Sequence, residues 1–319
     1  MCTAISMDGL FGRTLDLEYS YDEAAVVVPR NFKLNIKGIH AAHIGFAGMA
    51  HLSGGFPLMY DGMNEYGLCA AALNFPGCAV YNDDLPGKHN IASFEVIPLV
   101  LAGCGTVGDA VALLKNANIT GRAFSAEYPA TPLHWIIADK DGAVTVEQTS
   151  AGLAIHENSP GVMTNSPQFP IQLTRLADHM NISPYAPRNN IAPGVDLPEY
   201  TRGMGALGLP GDFSSGSRFV RAAFAANNSQ TIRDKESEIS QFFHIMDVLG
   251  VPRGLCRLED GKSVITVYTS CCDMTSGMYY FTTYDCRSIR GVKLHARDMT
   301  SDELKVFPAA ARERIMNLN

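Results

Sequence analysis

The run Leu133-His134-Trp135-Ile136-Ile137-Ala138, the tetrapeptide Asp139-Lys140-Asp141-Gly142 and the run Ala143-Val144-Thr145-Val146 constrain the fold most tightly. Two stretches rich in β-branched and aromatic residues bracket an Asp-Gly pair, which suits the backbone of a tight hairpin turn. The chain therefore contains antiparallel sheet. Val26-Val27-Val28 before Pro29 predicts another strand, and a further hairpin is expected from residues 58–60 and 68–73. Its turn falls on Asp61-Gly62-Met63-Asn64-Glu65-Tyr66-Gly67. Residues 263–269 and 278–283, rich in Val, Ile, Thr, Tyr and Phe, predict strands in the last third.

Helical spacing appears between these strands. Thr106 with Asp109 reads as a capping box opening a helix over 110–116, and the 3.6-residue period predicts helices over 169–180, 217–226 and 235–249. Strand hairpins with interposed helices point to an α+β layer architecture. With no repeat, low-complexity tract or linker, residues 1–319 are expected to form a single domain.

The 46% hydrophobic content supports a core, and 18% charged residues leave little scope for a long disordered tail. A net charge of -7 without a Lys/Arg cluster argues against a nucleic-acid partner. The longest apolar stretch, 96–104, contains Pro98 and is about half the ~20 residues of a bilayer span, so no membrane crossing is expected. Asp8, Arg13 and Asp16 fall where a secretory signal needs its apolar run, which reads as a cytoplasmic protein. Of the 8 cysteines, at 2, 69, 78, 104, 256, 271, 272 and 286, none forms a CxxC pair, and seven read as small buried hydrophobes.

Cys2 is the exception. Removal of Met1 leaves a thiol and a free α-amino group on one residue, and an amine with an ordinary pKa of roughly 7.7–8.0 accepts a thiol proton near neutrality. Arg13 and Asp16 interrupt the otherwise apolar, strand-like run Leu10-Phe11-Gly12-Arg13-Thr14-Leu15-Asp16-Leu17. Charges in such a run are either paired at the surface or functional: a guanidinium beside a thiol favours thiolate, and a carboxylate orients an amine. Gly203-x-Gly205-x-x-Gly208 matches a dinucleotide fingerprint by letter, but no strand precedes it and Pro210-Gly211 disfavours the helix, so it is assigned to a loop. His40 and His43 lack a ligand cluster at metal spacing and read as surface or core histidines.

The segments Met1-Cys2-Thr3, Phe11-Gly12-Arg13-Thr14-Leu15-Asp16, Val28-Pro29-Arg30-Asn31-Phe32, Asp61-Gly62-Met63-Asn64-Glu65, Leu73-Asn74-Phe75-Pro76, Leu133-His134-Trp135, Met163-Thr164-Asn165-Ser166-Pro167, Leu209-Pro210-Gly211-Asp212-Phe213 and Ser217-Arg218-Phe219 resemble choloylglycine hydrolases. Phe242-Phe243-His244-Ile245 and Tyr268-Thr269-Ser270-Cys271 extend the resemblance to about Tyr284. That family, within the N-terminal nucleophile hydrolases, holds bile salt hydrolases and penicillin V acylases. The resemblance implies an αββα sandwich, commonly in a homotetramer, with the mature N-terminus in the active site; attack by a thiolate on an amide is expected to need no cofactor or metal. It implies Cys2 as nucleophile and its own amine as base. By the same resemblance Arg13 and Asp16 would set the states of thiol and amine, Arg218 would be a second active-site arginine, and Asn165 and Asn74 would be oxyanion donors.

Asparagine also caps turns readily, and an arginine in a helix such as Arg218 or Arg221 also serves a solvated face; Arg221 is read that way. Asn74 implies a conjugated bile salt as substrate, since penicillin V acylases of the family often carry tyrosine there. Phe56, Met59 and Phe124 are candidates for an apolar cleft that takes the steroid, with core packing the favoured role of any one of them. Alternatives are hydrolysis of penicillin V or another N-acyl amide by the same cysteine, and a non-catalytic steroid- or lipid-binding protein.

Overall fold

The computed structural model describes residues 1–39, 42–230, 234–296 and 299–319. His40 lies outside these. In chain order the first strands are β1 (Cys2–Met7), β2 (Leu10–Leu17), β3 (Ala24–Val28), β4 (Phe46–Ser53), β5 (Phe56–Asn64), β6 (Cys69–Asn74) and β7 (His89–Ala92). Helices α1 (Val96–Gly103) and α2 (Val107–Leu114) follow, then β8 (Ala117–Thr120), β9 (Leu133–Asp139), β10 (Gly142–Thr149), β11 (Gly152–Glu157) and β12 (Val162–Met163). The last part holds α3 (Phe169–Ala177), α4 (Ser215–Asn228), α5 (Lys235–Asp247), β13 (Ile265–Asp273), β14 (Met278–Thr283), β15 (Cys286–Lys293) and β16 (Lys305–Pro308).

Two antiparallel sheets stack face to face. One has 6 strands in the order β12-β1-β2-β13-β14-β15, the other 8 in the order β11-β10-β9-β6-β5-β4-β3-β16. The period of two along each strand sends alternate side chains to two different cores. In β6, Cys69, Ala71 and Leu73 enter the core between the sheets, where they meet Cys2, Phe11 and Tyr279. The intervening Ala70 and Ala72 pack with Ile97, Val100 and Leu114 of α1 and α2 in a second core. A third core joins Ile5 and Leu10 to Phe219 of α4 and to Phe242 and Ile245 of α5. Helices thus cover both outer faces, giving the expected α+β, four-layer αββα sandwich.

Local chemistry accounts for the boundaries that the sequence predicts. The Thr106 hydroxyl accepts from Asp109 N and the Asp109 carboxylate accepts from Thr106 N, so the capping box forms, and α2 runs Val107–Leu114 directly behind its cap rather than over the expected 110–116. The β9–β10 hairpin turns at Lys140-Asp141, with Asp139 Oδ1 accepting from Asp141 N. The 203–208 glycines lie in a loop with a single 3-10 turn, Met204–Ala206. In β2, Gly12 is required for space: a Cβ there would overlap the Ser270 carbonyl of neighbouring β13.

Three expectations are corrected. The turn predicted over 61–67 starts later, because Asp61–Asn64 belongs to β5. Their polar side chains are buried with partners: Asp61 accepts from the Tyr268 and Tyr279 hydroxyls, and Asn64 Nδ2 donates to the Leu101 and Cys104 carbonyls. Met59 is not among these: it packs with α1 in the core, the role favoured for it over the cleft. Arg221 is buried rather than solvated, its Nη1 donating to the Pro210 and Asp212 carbonyls and tying down the loop before α4. The helix expected over 169–180 ends at Ala177.

Candidate active site

The site forms where the start of β1 meets β2. Cys2 pairs with Leu15 and Ala4 with Arg13, so the first residues of the chain run antiparallel to the strand that carries both singled-out charges. Met1 continues the ladder: its carbonyl accepts from Asp16 N, and its ammonium donates to the Asp16 carbonyl at 2.7 Å. The Cys2 nitrogen donates to Asn165 Oδ1 at 2.9 Å. Loss of Met1 converts that nitrogen from amide to amine beside the same acceptor.

Strand alternation sorts the charges onto opposite faces. Cys2, Ala4, Phe11 and Leu15 point between the sheets. Arg13, on the same face of β2 as Phe11 and Leu15, reaches across to the other sheet, donating from Nη1 to the Tyr60 carbonyl at 3.1 Å and to the Ala72 carbonyl. Its Nε donates to Thr14 O, and its buried Nη2 has no hydrogen-bond partner among the described residues. Burial alone pulls the guanidinium's pKa down. Cys2, Tyr268, Asp61 and Asp16 outweigh that and hold it above the ordinary arginine value. Arg13 is therefore a fixed cation within electrostatic reach of Cys2.

Asp16, like Thr3 and Thr14, faces the helices. Its carboxylate accepts from the Thr266 hydroxyl at 2.7 Å and the Thr14 hydroxyl at 3.1 Å. Burial raises its pKa above the usual carboxylate range, against the pull of Arg218, the two threonines and the chain's terminal ammonium. Arg218, in the first turn of α4 and fully buried, donates from Nη1 to the Cys2 carbonyl and, at 2.6 Å, to Thr3 Oγ1. Its Nη2 donates to Asn165 Oδ1 at 2.6 Å. Burial holds its pKa below the ordinary arginine value, while Asp16 and Cys2 act in the opposite sense.

Two donors, Cys2 N and Arg218 Nη2, fix which end of the Asn165 carboxamide is oxygen. Nδ2 consequently points the other way and donates to the Asn74 carbonyl at 2.8 Å, with its second hydrogen uncommitted among the described residues. Asn74 ends β6 and is half-buried, and its own carboxamide makes no hydrogen bond among the described residues. Of the six sequence-predicted residues, Cys2, Asn74, Asn165 and Arg218 are joined by direct hydrogen bonds of side chain or main chain, while Arg13 and Asp16 reach Cys2 and Arg218 through their charges. Sequence reasoning missed the supporting hydroxyls. Ser215 Oγ accepts from Asn165 N and from Gln172 Nε2, and Thr164 Oγ1 bonds to Ser215. Single Ser, Thr and Gln residues carry no pattern by which they could have been found.

His43 is buried, with ring nitrogens 2.8 and 2.9 Å from the Ile44 and Phe32 carbonyls, as a core histidine. Among the described residues no group of three potential ligands could hold a metal, and no helix is long and apolar enough to cross a membrane.

The family model of linear amide C-N hydrolases, choloylglycine hydrolase family, matches residues 2–307. The chain belongs to the choloylglycine hydrolase family. It is accordingly an amidohydrolase acting on linear amides. A bile salt hydrolase/transferase of Lactiplantibacillus plantarum is 40% identical, with 100% of both chains covered. One from Clostridium perfringens is 36% identical over 96% of each. Among solved structures, a cysteine-to-alanine mutant of the conjugated bile acid hydrolase from Clostridium perfringens superposes with a TM-score of 0.92 at 33% identity, covering 100% of both chains. A penicillin V acylase from Agrobacterium tumefaciens, at 22% identity and TM-score 0.75 over 96% of this chain and 90% of that one, shares the fold.

Proposed function

We propose that this choloylglycine hydrolase cleaves the amide bond of glycine- or taurine-conjugated bile salts, with Cys2 as nucleophile after removal of Met1. The observation that carries the chemistry is the Cys2 nitrogen at 2.9 Å from Asn165 Oδ1, with the cation of Arg13 on the sulfur's face of the strand and Asp16 and Arg218 on the other. The two relatives named for bile salts, alike over nearly their whole length, support the substrate.

In this mechanism the free α-amino group of Cys2 takes the thiol proton and the sulfur attacks the amide carbonyl. The uncommitted hydrogen of Asn165 Nδ2 and the carboxamide of Asn74 donate to the tetrahedral oxyanion, a contribution of roughly 3–4 kcal/mol for one well-placed donor. The α-amino group returns its proton to the departing amine, and water then hydrolyses the acyl-thioester. Every group required belongs to the chain, so no cofactor enters.

Phe56, Phe94 and Phe124, whose ring centroids lie 5.3–6.1 Å apart, offer an apolar wall for a steroid. We also propose that the chain is one domain and acts in the cytoplasm, its cysteines unpaired. Homotetramer formation would cover the exposed Tyr185, Ile191 and Tyr200 of the segment before α4. Intact mass after brief exposure to substrate, together with a panel measuring amine release from both conjugates and from penicillin V, tests the assignment. A covalent acyl adduct with faster release from the conjugates is expected. Reaction with penicillin V alone overturns the substrate, and no adduct with any of them overturns the nucleophile.

A further inference from the structure

The residues before and after the two asparagines are joined by a group that the mechanism above does not use. His134, on β9 opposite Leu73 of β6, is almost completely buried. Its ring lies flat on Phe75, with centroids 4.2 Å apart and planes 8° from parallel. Phe75 directly follows Asn74. The ring's Nε2 donates to the Thr164 carbonyl at 2.9 Å, a carbonyl being able only to accept. Thr164 directly precedes Asn165. On the other side of the ring, Nδ1 lies 3.2 Å from Glu147 Oε1, and that oxygen also accepts from Phe169 N at the start of α3.

One side chain therefore touches the neighbours of both asparagines, which among the described residues are themselves bonded to each other only through Asn165 Nδ2 and the Asn74 carbonyl. A polar pair this deeply buried is retained at a desolvation cost, and its contacts are directed at the two chain segments whose spacing determines where an oxyanion is held. We propose that His134, braced by Glu147, is a positioning residue that sets the separation and orientation of Asn74 and Asn165. The proposal rests on the reading of these two as oxyanion donors. An interaction needed only when charge develops on oxygen affects kcat and leaves substrate binding nearly unchanged, and a donor displaced by an ångström weakens turnover steeply.

The test compares His134→Phe, which keeps the ring and removes the donor, with His134→Gln, whose amide N–H can reach the Thr164 carbonyl. Glu147→Gln, nearly the same shape, serves as a milder variant should His134→Phe not fold. Asn165→Ala is the reference, and the assay is release of glycine from a conjugated bile salt, per chain alkylatable at Cys2. Expected for His134→Phe is a kcat lower by about tenfold with KM within about twofold. His134→Gln should recover most of that loss, and Glu147→Gln should fall between. Unchanged kcat in folded His134→Phe, or in Glu147→Gln if the former does not fold, overturns the positioning role while Asn165→Ala is impaired. Loss that follows melting temperature equally in the Phe and Gln variants shows a structural role alone and overturns it too. Full turnover in Asn165→Ala instead removes the oxyanion reading on which the proposal stands.

Discussion

Replacing Arg218 by methionine probes the charge balance of the site most directly. The substitution keeps much of the apolar stem but deletes donors to Phe213 O, Cys2 O, Thr3 Oγ1 and Asn165 Oδ1. It also removes the first-named charge that opposes the upward push of burial on Asp16. Breaking a buried ionic network from one side costs about 3–5 kcal/mol, because the remaining charge is left uncompensated. Unfolding entropy near 2.1 cal/mol/K per residue gives about 0.7 kcal/mol/K for a chain of 319 residues, so a loss of 4 kcal/mol lowers Tm by about 6 °C. The loss should also depend on pH. A carboxyl whose pKa is raised in the folded state contributes stability fully below its unfolded value, and loses it as pH rises through the folded value. Asp16 is raised in the wild-type chain and is raised further without Arg218, so the deficit of Arg218→Met should widen above the ordinary carboxylate range and shrink as pH falls toward it. Calorimetric melts of both proteins from pH 5 to 8 measure this. In Arg218→Met combined with Asp16→Asn the widening should vanish. A deficit independent of pH, or one that is additive with Asp16→Asn, refutes the claim that the two charges compensate each other.

Three further outcomes follow from the site. Mass spectrometry of active protein should show Met1 absent, and a fully active chain that retains it would leave the Cys2 nitrogen an amide and exclude it as base. Cys2→Ser should keep the fold and lose most turnover, since an alcohol is far harder to ionise than a thiol of pKa about 8.5. Circular dichroism beside the amine-release assay checks this, and a folded Cys2→Ala variant that still turns over would exclude the mechanism. Asn74→Ala should lower bile salt turnover with little change in melting temperature, the carboxamide being half-buried and unbonded; wild-type kcat/KM should be higher for the conjugates than for penicillin V, and the reverse order, measured on one preparation, would reassign the substrate.

The elements legible in the sequence were those whose cause is local. Two β-branched runs around a short polar tetrapeptide, and a threonine three residues before an aspartate, specify a hairpin and a cap without help from elsewhere, and both form, although the hairpin turns at Lys140-Asp141 with Gly142 already in β10 and α2 begins three residues earlier than expected. Asp61 misled because a carboxylate followed by glycine resembles a turn. What keeps it in β5 is the pair of hydroxyls of Tyr268 and Tyr279, more than 200 residues away along the chain. Arg221 misled for the same reason, its partners being carbonyls of an irregular loop. The pairing of His134 with Glu147 could not be foreseen, because neither spacing nor composition distinguishes a buried polar pair from ordinary strand residues.

Arg13 and Asp16 show how much a spacing can carry once the element is known. On a helix, residues three apart share a face; on a strand they lie on opposite faces. The apolar run from Leu10 to Leu17 is strand-like, so the two charges cannot both approach the sulfur of Cys2 from one side. The structure accordingly divides them. Arg13 enters the core between the sheets beside the thiol, while Asp16 turns outward to Thr266 and to the field of Arg218. A cation on the sulfur's side stabilises negative charge there without neutralising the carboxylate, and the carboxylate on the main-chain side is left to act on the nitrogen. Placing Arg13 and Asp16 two or four residues apart would bring both charges to one face and lose that separation, so the proposed chemistry requires the three-residue spacing that the chain has.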